Sequence, residues 1–232
     1  QDDTPFRLLD GVYDDYGNEM PWPRNVDGRF RGITSVMEAL RLSLNTVTVK
    51  WLDQIGLDVS KEYLARFGII NRQHPERDYF VQANENPNHN DENLAMSLGA
   101  MTDGQTTLSM ASAYQAIGNN GQHIEATSVA KIVDNDGNVL YENPHRAEEV
   151  LPPEVNYQLI LALDNVVRNG FSNWYLDFEG RSQFVGKTGT TDYNMDFWFV
   201  GTSTYYTTAV WVGSDNAFLY LEGNSGVSAR VY

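Results

Sequence analysis

The chain has 232 residues, and its 16 basic and 31 acidic side chains give a formal net charge of −15. This charge repels phosphate backbones and anionic lipids, so no nucleic-acid partner is predicted. The chain has no cysteine, which excludes disulfides and thiol catalysis. No stretch approaches the ~18 apolar residues of a membrane span, and no membrane contact is predicted for this chain.

The first part of the chain is predicted to be irregular. Residues 1–32 are rich in Asp, Pro, Gly and aromatic residues without clear periodicity, which is typical of loops with short extended pieces. Thr34 is predicted to cap a helix whose apolar side chains recur at helical spacing: Val36, Met37, Leu40 and Leu44. Ser43 and Asn45 would therefore lie at the C-terminal end of this helix or in the turn after it.

Two more helices are predicted before a long polar stretch. The second helix covers residues 47–55, and the third covers residues 61–67. Ser60 would cap the third helix, and Gly68 would end it. The Asn-rich stretch 71–93 has the composition of an exposed loop.

The middle of the chain contains two predicted helices on either side of a hairpin. Thr107 begins a helix that ends at 118–121, and its predicted inward residues are Leu108, Met110, Ala111, Tyr114 and Ile117. An Asp-Gly turn within segment 132–141 predicts a β-hairpin. The proline pair at 152–153 begins a helix to about Arg168, with several apolar side chains available for burial: Val155, Leu159, Leu161, Leu163 and Val166.

The last part of the chain has β periodicity. Aromatic and β-branched residues with short turns predict strands over 184–186, 197–201 and 207–213, arranged as an antiparallel meander. Helices first and strands last imply an α+β fold. Residues 33–170 are then the mainly helical region, and residues 182–232 carry the C-terminal strands.

Several common sites are disfavoured by their own spacing. A phosphate-binding loop that includes Lys187 and Thr188 would need glycine at position 181, where this chain has Arg181. Ser128 and Lys131 match Ser-x-x-Lys, but their neighbours predict a strand, in which positions three apart face opposite sides. The histidines lack ligand spacing and are predicted to lie at the surface, so no metal or cofactor is predicted: His74, His89, His123 and His145.

Two motifs far apart in the chain carry a family resemblance. They are Ser43-Leu44-Asn45 and Lys187-Thr188-Gly189-Thr190, in the order in which Ser-x-Asn and Lys-Thr-Gly occur in penicillin-binding proteins and serine β-lactamases. The flanking sequence resembles class A penicillin-binding proteins, the bifunctional peptidoglycan synthases. The matching segments are 31–46 around the first motif and then 186–191, 196–201 and 210–213.

The resemblance implies both a fold and an activity. Residues 1–232 would form part of a transpeptidase domain, with a five-stranded antiparallel sheet, helices on both sides and a helical subdomain across the active site. The implied protein is a D,D-transpeptidase that cross-links peptidoglycan stem peptides ending in D-Ala-D-Ala by serine acyl transfer. It would be a target of β-lactams, and it would act at the outer face of the bacterial cytoplasmic membrane, anchored by a segment outside this chain.

The resemblance also assigns roles to the motif residues. Ser43 would pass a proton toward the leaving group, and Asn45 would hold the substrate amide and the catalytic lysine. Lys187 would supply positive potential for the terminal carboxylate. The substrate-binding residues implied on the same strand are Thr188, Gly189 and Thr190. Asp196 and Trp198 match the family pattern and are interpreted as structural.

The nucleophile of the family is not in this sequence. Its Ser-x-x-Lys segment would lie ahead of Gln1, so we expect an upstream segment as a partner, and a glycosyltransferase domain before it is implied. The chain alone is expected to be inactive, and its end, 223–232, is expected to be a loop. Three alternatives stay open: a serine β-lactamase, a non-catalytic penicillin sensor and a plain interaction domain. Class A β-lactamases usually carry Asp where this chain has Leu44, which disfavours the first alternative.

Overall fold

The computed structural model describes residues 1–72, 78–170, 184–216 and 219–231. Four short strands lie in the N-terminal region: β1 (Asp2–Asp3), β2 (Arg7–Tyr13), β3 (Glu19–Trp22) and β4 (Gly32–Ile33). β1 pairs antiparallel with β4, and β2 pairs antiparallel with β3. The prediction of short extended pieces in this region is therefore confirmed.

Three helices follow: α1 (Val36–Arg41), α2 (Asn45–Ile55) and α3 (Leu57–Arg66). Ser35 caps α1, because its Oγ accepts a hydrogen bond from the backbone N–H of Glu38 at 3.1 Å, so the prediction of Thr34 as cap was wrong. α2 begins earlier than predicted. Ser43 therefore lies in the turn after α1, and Asn45 is the first residue of the next helix.

The start of α3 also differs from the prediction. Gly56 has a φ of 88°, which a residue with a side chain rarely adopts, and the chain passes through it directly from α2 into α3. Ser60 consequently lies inside the helix and does not cap it. The predicted end is confirmed, since Phe67 is the C-cap and Gly68 follows with a φ of 74°.

The polar stretch 71–93 is not uniformly exposed. Phe80 is buried in an apolar cluster with Leu52, Ile70 and Met96. Asp91 is fully buried and accepts hydrogen bonds from two backbone N–H groups, those of Val81 at 2.8 Å and Thr102 at 2.6 Å. The exposed-loop prediction is wrong for Phe80 and Asp91, and residues 73–77, which include His74, lie outside the described ranges.

The middle of the chain runs through a 3-10 helix (Leu94–Leu98), α4 (Thr107–Gly118), β5 (Gln122–Ile124), β6 (Lys131–Val133), β7 (Val139–Glu142), β8 (Ala147–Glu149) and α5 (Pro153–Asn169). β6 and β7 form the predicted hairpin, and β5 pairs with β8. His123 in β5 is half-buried, and its Nε2 lies 3.0 Å from the Ser112 Oγ. The surface prediction is therefore wrong for His123.

The buried faces of α4 and α5 were predicted only in part. Leu108, Val155 and Leu161 were expected inside and are exposed. The predicted burial of Ile117, Leu163 and Val166 is confirmed, and the rest of the inward faces is made by residues that were not predicted: Ala113 and Ala116 in α4, and Ala162 and Val167 in α5. Small alanines allow close helix packing, and a count of large apolar residues does not detect such a face.

The predicted meander is confirmed by three antiparallel strands: β9 (Phe184–Thr190), β10 (Asp196–Ser203) and β11 (Thr207–Gly213). Their order is β11-β10-β9, so β9 is an edge strand of the sheet that the described residues form. The chain then forms α6 (Gly226–Val231), which corrects the expectation that this end is a loop. Residues from four elements, α5, β9, β10 and α6, meet in the core beneath the sheet: Val167, Phe184, Phe199 and Ala229.

The helices are placed on both faces of this sheet. α5 and α6 cover the face that carries Phe199. Gly118, at the end of α4, meets the side chain of Thr202, which strand alternation places on the opposite face. Within the described ranges, no helix is both long and apolar enough to cross a membrane. The α+β fold class predicted from the sequence is therefore confirmed.

Candidate active site

Ser43 occupies the left-handed position of a helix C-terminal turn. Its φ is 54°, its N–H donates to the Leu40 carbonyl oxygen at 3.2 Å, and the Leu44 N–H donates to the Ala39 carbonyl oxygen at 2.9 Å. These two bonds define a Schellman motif with Ser43 at C′, where glycine is usual. A serine there carries a strain of order 1 kcal/mol, which glycine would avoid.

Leu44 fastens this turn to the protein interior. Its side chain is 1% exposed and packs with Ala39 and Val47, the apolar contact that accompanies a Schellman motif. Ser43 is exposed, and Asn45 is half-buried. The middle residue of Ser-x-Asn is therefore an anchor, and the polar residues on either side lie nearer the surface.

Asn45 is held by the segment before β4. Its Nδ2 donates a hydrogen bond to the Arg24 carbonyl oxygen at 2.8 Å. We call Ser43, Leu44 and Asn45 the turn wall of the site. Its two polar side chains are fixed by different means, Ser43 by backbone conformation and Asn45 by a hydrogen bond to a distant segment.

Lys187 lies on the opposing strand and meets the turn wall directly. Its Nζ donates hydrogen bonds to the Ser43 Oγ at 3.0 Å and to the Thr188 carbonyl oxygen at 3.0 Å. Burial lowers the pKa of Lys187 to about 8, and among the described residues no carboxylate forms an ion pair with it. We call Lys187 to Thr190 the strand wall.

The strand wall is fixed by its register with β10. Lys187 pairs with Val200, Gly189 with Trp198, and Thr190 with Phe197. Alternation places Lys187 and Gly189 on one face and Thr188 and Thr190 on the other. Thr190 is exposed at the end of the strand, so its hydroxyl can reach a ligand around the edge.

Two glycines allow this strand to approach its neighbour. A Cβ on Gly186 would lie 2.7 Å from the Phe199 Cζ and 2.7 Å from the Val200 carbonyl oxygen. A Cβ on Gly189 would lie 3.3 Å from the Trp198 Cβ, which is a tight contact. Gly186 was not among the predicted site residues, although its place directly before Lys187 was the available signal.

Asp196 closes the turn that follows the strand wall. Its carboxylate accepts hydrogen bonds from the Thr191 Oγ1 at 3.1 Å and the Trp211 Nε1 at 2.8 Å. Its own N–H donates to the Thr191 Oγ1 at 2.8 Å. Asp196 therefore ties the end of β9 to β11, which is the structural role interpreted from the sequence.

The two walls together form a polar site suited to an anionic ligand and to proton transfer. A lysine ammonium has three donors and no acceptor, so its bond to Ser43 leaves the serine hydroxyl hydrogen available to a third group. In the described part of the chain, no group of His, Asp and Glu is arranged to hold a metal ion. The chemistry these residues support is anion binding and proton donation.

Comparison with known proteins identifies the family. The model of the penicillin-binding protein transpeptidase domain matches residues 14–220, so the chain belongs to that family. Its relatives include penicillin-binding protein 1A of Clostridium botulinum strain Langeland, which is 34% identical over 94% of this chain and 24% of its own length. Penicillin-binding protein 1A of Clostridium acetobutylicum is 34% identical over 97% of this chain and 26% of its own length.

Solved structures agree with this assignment. Penicillin-binding protein 1A from Haemophilus influenzae matches 99% of this chain and 36% of its own chain, with a TM-score of 0.72 and 22% identity. PonA1 of Mycobacterium tuberculosis, solved in complex with penicillin V, matches 95% of this chain and 60% of its own, with a TM-score of 0.71 and 23% identity. The chain spans about a quarter of the length of the clostridial relatives. The class A resemblance drawn from the motifs is confirmed.

Proposed function

We propose that this chain supplies two walls of the active site of a serine D,D-transpeptidase that cross-links peptidoglycan stem peptides and is acylated by β-lactams. The observation that carries the proposal is the 3.0 Å hydrogen bond from the Lys187 Nζ to the Ser43 Oγ. It joins two motifs that lie 144 residues apart in the sequence. Family membership supplies the reaction class, and the contact supplies the reason that these residues act together.

Lys187 would bind the carboxylate of a stem peptide ending in D-Ala-D-Ala. Its ammonium is desolvated, which lowers its pKa to about 8, and a desolvated cation attracts an anion more strongly than one in water. The hydroxyls of Thr188 and Thr190, which alternation places on the other face, would reach the same carboxylate around the open edge of β9 and add hydrogen bonds to it. Gly189 leaves the face that carries Lys187 open to a peptide lying along the edge strand.

Ser43 would deliver a proton to the leaving group. The expelled amine, or the nitrogen of an opened β-lactam, must gain a proton for the acyl-enzyme to form. The Ser43 O–H bond would break as the new N–H bond forms, and Lys187 would return a proton to the Ser43 oxygen. A lysine whose pKa is lowered to about 8 is a stronger acid than an ordinary one, which favours this transfer.

Asn45 would orient the acyl side of the substrate. The Arg24 carbonyl oxygen holds its amide nitrogen, which fixes the plane of the side chain. In this position Asn45 would contact the substrate amide and the lysine of the Ser-x-x-Lys segment. That segment would be an obligatory partner, carried by the same protein on the outer side of the cytoplasmic membrane.

The Ser-x-x-Lys match within this chain cannot supply the nucleophile. Lys131 begins strand β6, and Ser128 precedes it outside any helix, so the two are not one helical turn apart. The Lys131 Nζ pairs with the Glu142 carboxylate at 3.5 Å on the exposed hairpin. The activated serine must therefore come from another segment of the protein.

Labelling with a fluorescent penicillin tests the proposal in the complete protein that carries the Ser-x-x-Lys segment. We expect Lys187→Ala to lower the acylation rate constant by about 10- to 100-fold, the effect of losing a charge-assisted hydrogen bond. Lys131→Ala is the matched control, since it removes an exposed lysine of the hairpin, and it should leave labelling unchanged.

Penicillin labelling, nitrocefin hydrolysis and stem-peptide cross-linking together separate the alternative functions. Equal labelling of the wild type and Lys187→Ala would contradict the proposal and favour a plain interaction domain. Rapid release of the label with hydrolysis of nitrocefin would indicate a β-lactamase. A stable adduct without cross-linking of lipid-linked stem peptide would indicate a penicillin sensor.

A further inference from the structure

We propose that Asp3 is a positioning residue for the Ser-x-Asn motif, and that it acts through Asn25 and Thr46 on Asn45. The inference rests on the proposed function, because Asn45 matters to it as a substrate-orienting group. Neither Ser-x-Asn nor Lys-Thr-Gly includes Asp3, which lies in the short strand β1, remote in sequence from both walls.

Asp3 is the centre of a buried polar network. Its side chain is fully buried, as is that of Thr46, and Asn25 is 4% exposed. One carboxylate oxygen of Asp3 accepts hydrogen bonds from the Asn25 Nδ2 at 2.7 Å and from the Thr46 Oγ1. The other oxygen accepts from the Arg31 N–H at 2.9 Å.

The network keeps Asp3 ionised inside the protein. Burial acts to raise the pKa of Asp3, but the hydrogen bonds from Thr46, Asn25 and the Arg31 backbone outweigh it, so the pKa is lowered. The Arg31 guanidinium, at 3.7 Å, adds an attractive charge. An ionised carboxylate accepts several hydrogen bonds at once, which is how a single group fixes three segments of the chain.

Two partners of Asp3, Asn25 and Thr46, are chain neighbours of a group that touches Asn45 or of Asn45 itself. Asn25 follows Arg24, whose carbonyl oxygen accepts from the Asn45 Nδ2 at 2.8 Å. Thr46 follows Asn45 in the first turn of α2. The Asp3 carboxylate therefore binds Thr46, which is next to Asn45 in the chain, and Asn25, which is next to the residue that accepts the Asn45 side-chain hydrogen bond.

The hydrogen bonds around Asp3 also support the N-terminal end of α2. Leu44 is the N-cap of α2 and offers no capping side chain. The Asn25 Oδ1 instead lies 3.4 Å from the Thr46 N–H, a long contact that takes the place of a cap from outside the helix. Asp3 orients the Asn25 amide by accepting from its nitrogen, so the helix start at the active site depends on Asp3.

A double-mutant cycle in the complete protein separates positioning from plain structural support. We expect Asp3→Asn to lower the rate constant of acylation by penicillin about tenfold in the otherwise unchanged protein, the scale of coupling within one hydrogen-bonded network. In an Asn45→Ala background the same change should lower it less than about twofold, because its target is already absent.

Asp91→Asn is the matched control for the loss of a buried carboxylate. Asp91 is equally buried and also accepts from backbone N–H groups, but the segment it holds packs with Leu52 toward the other end of α2. We expect Asp91→Asn to lower the thermal midpoint as Asp3→Asn does and to leave the acylation rate constant of the folded protein within about twofold.

Two further variants keep the test informative if Asp3→Asn does not fold. Thr46→Val removes one donor to Asp3 at nearly constant shape and should lower the acylation rate constant, as Asp3→Asn does. Thr46→Ser keeps the hydroxyl and should leave the rate constant close to that of the wild type. An equal loss with and without Asn45, or an equal loss in Asp91→Asn, overturns the positioning role of Asp3. If the unmutated complete protein is not acylated at all, the proposed function itself fails.

Discussion

The two walls of the site hold their functional groups by opposite means. The turn wall places Ser43 in a left-handed conformation, with buried Leu44 as its anchor. The strand wall places Lys187 on a regular edge strand in continuous register with β10. Strain is therefore concentrated in one wall, and the other wall is unstrained but closely packed. The Ser43 hydroxyl, for which we propose proton donation, is held by a strained local conformation, whereas the Lys187 side chain reaches it from regular sheet geometry.

The contrast predicts stability changes of opposite sign in the two walls. Gly186→Ala places a methyl group against Phe199 and the Val200 carbonyl, and we expect it to lower the free energy of unfolding by about 2 kcal/mol. Ser43→Gly relieves a left-handed residue, and we expect it to raise that free energy by about 1 kcal/mol relative to Ser43→Ala, which loses the same hydrogen bond from Lys187. Thermal denaturation of the complete protein, followed through the transition of this domain, measures both changes.

Acylation provides the control for this comparison. Ser43→Gly should lower the acylation rate constant even though it relieves backbone strain, because the hydroxyl is lost and the course of the backbone is kept. A Ser43→Gly protein no more stable than Ser43→Ala would show that the left-handed turn carries no strain. A neutral Gly186→Ala change would show that the strand wall tolerates more movement than its contacts with β10 indicate.

A smaller effect is expected in the pH dependence of the strand wall. Lys187 has a pKa lowered to about 8, so its positive charge is present below that pH and is lost as the pH rises through it. The second-order rate constant of acylation should therefore fall several-fold above about pH 8, since it follows the ionisation of the free protein. Lys187→Arg should remove this fall, because a guanidinium stays charged throughout.

A group outside this chain could produce a similar alkaline fall, and the arginine variant distinguishes that case. If wild type and Lys187→Arg lose activity over the same pH range, another group controls the reaction. If the fall disappears in Lys187→Arg, the charge on the strand wall controls it.

The sheet and the strand wall could be predicted from the sequence because their signals are local. Alternating aromatic and β-branched residues with short turns gave β9, β10 and β11 their order and pairing. The predicted strand ended at 186, whereas β9 continues to Thr190, and Lys187 was identified from the Lys-Thr-Gly motif that follows the predicted strand. Periodicity says less about which helix face is buried, as exposed Leu108 and buried Ala113 illustrate.

The turn wall could be predicted only as a motif, because its geometry arises from distant parts of the chain. A serine at C′ contradicts the usual preference for glycine, so no local pattern indicates a left-handed residue at 43. Asp3 was missed because its partners Asn25, Arg31 and Thr46 lie 22, 28 and 43 residues away. All three are polar residues, and no periodic pattern in the sequence predicts that they contact Asp3.

The central claim is that Ser43 and Lys187 act as one unit on an acyl-enzyme. The most direct test is a crystal structure of the complete protein acylated by penicillin. We predict a ligand carboxylate within about 3.2 Å of the Lys187 Nζ, with the Ser43 Oγ within the same distance of the former β-lactam nitrogen. An adduct whose carboxylate points away from β9, with Ser43 and Lys187 both remote from the ligand, would contradict the account.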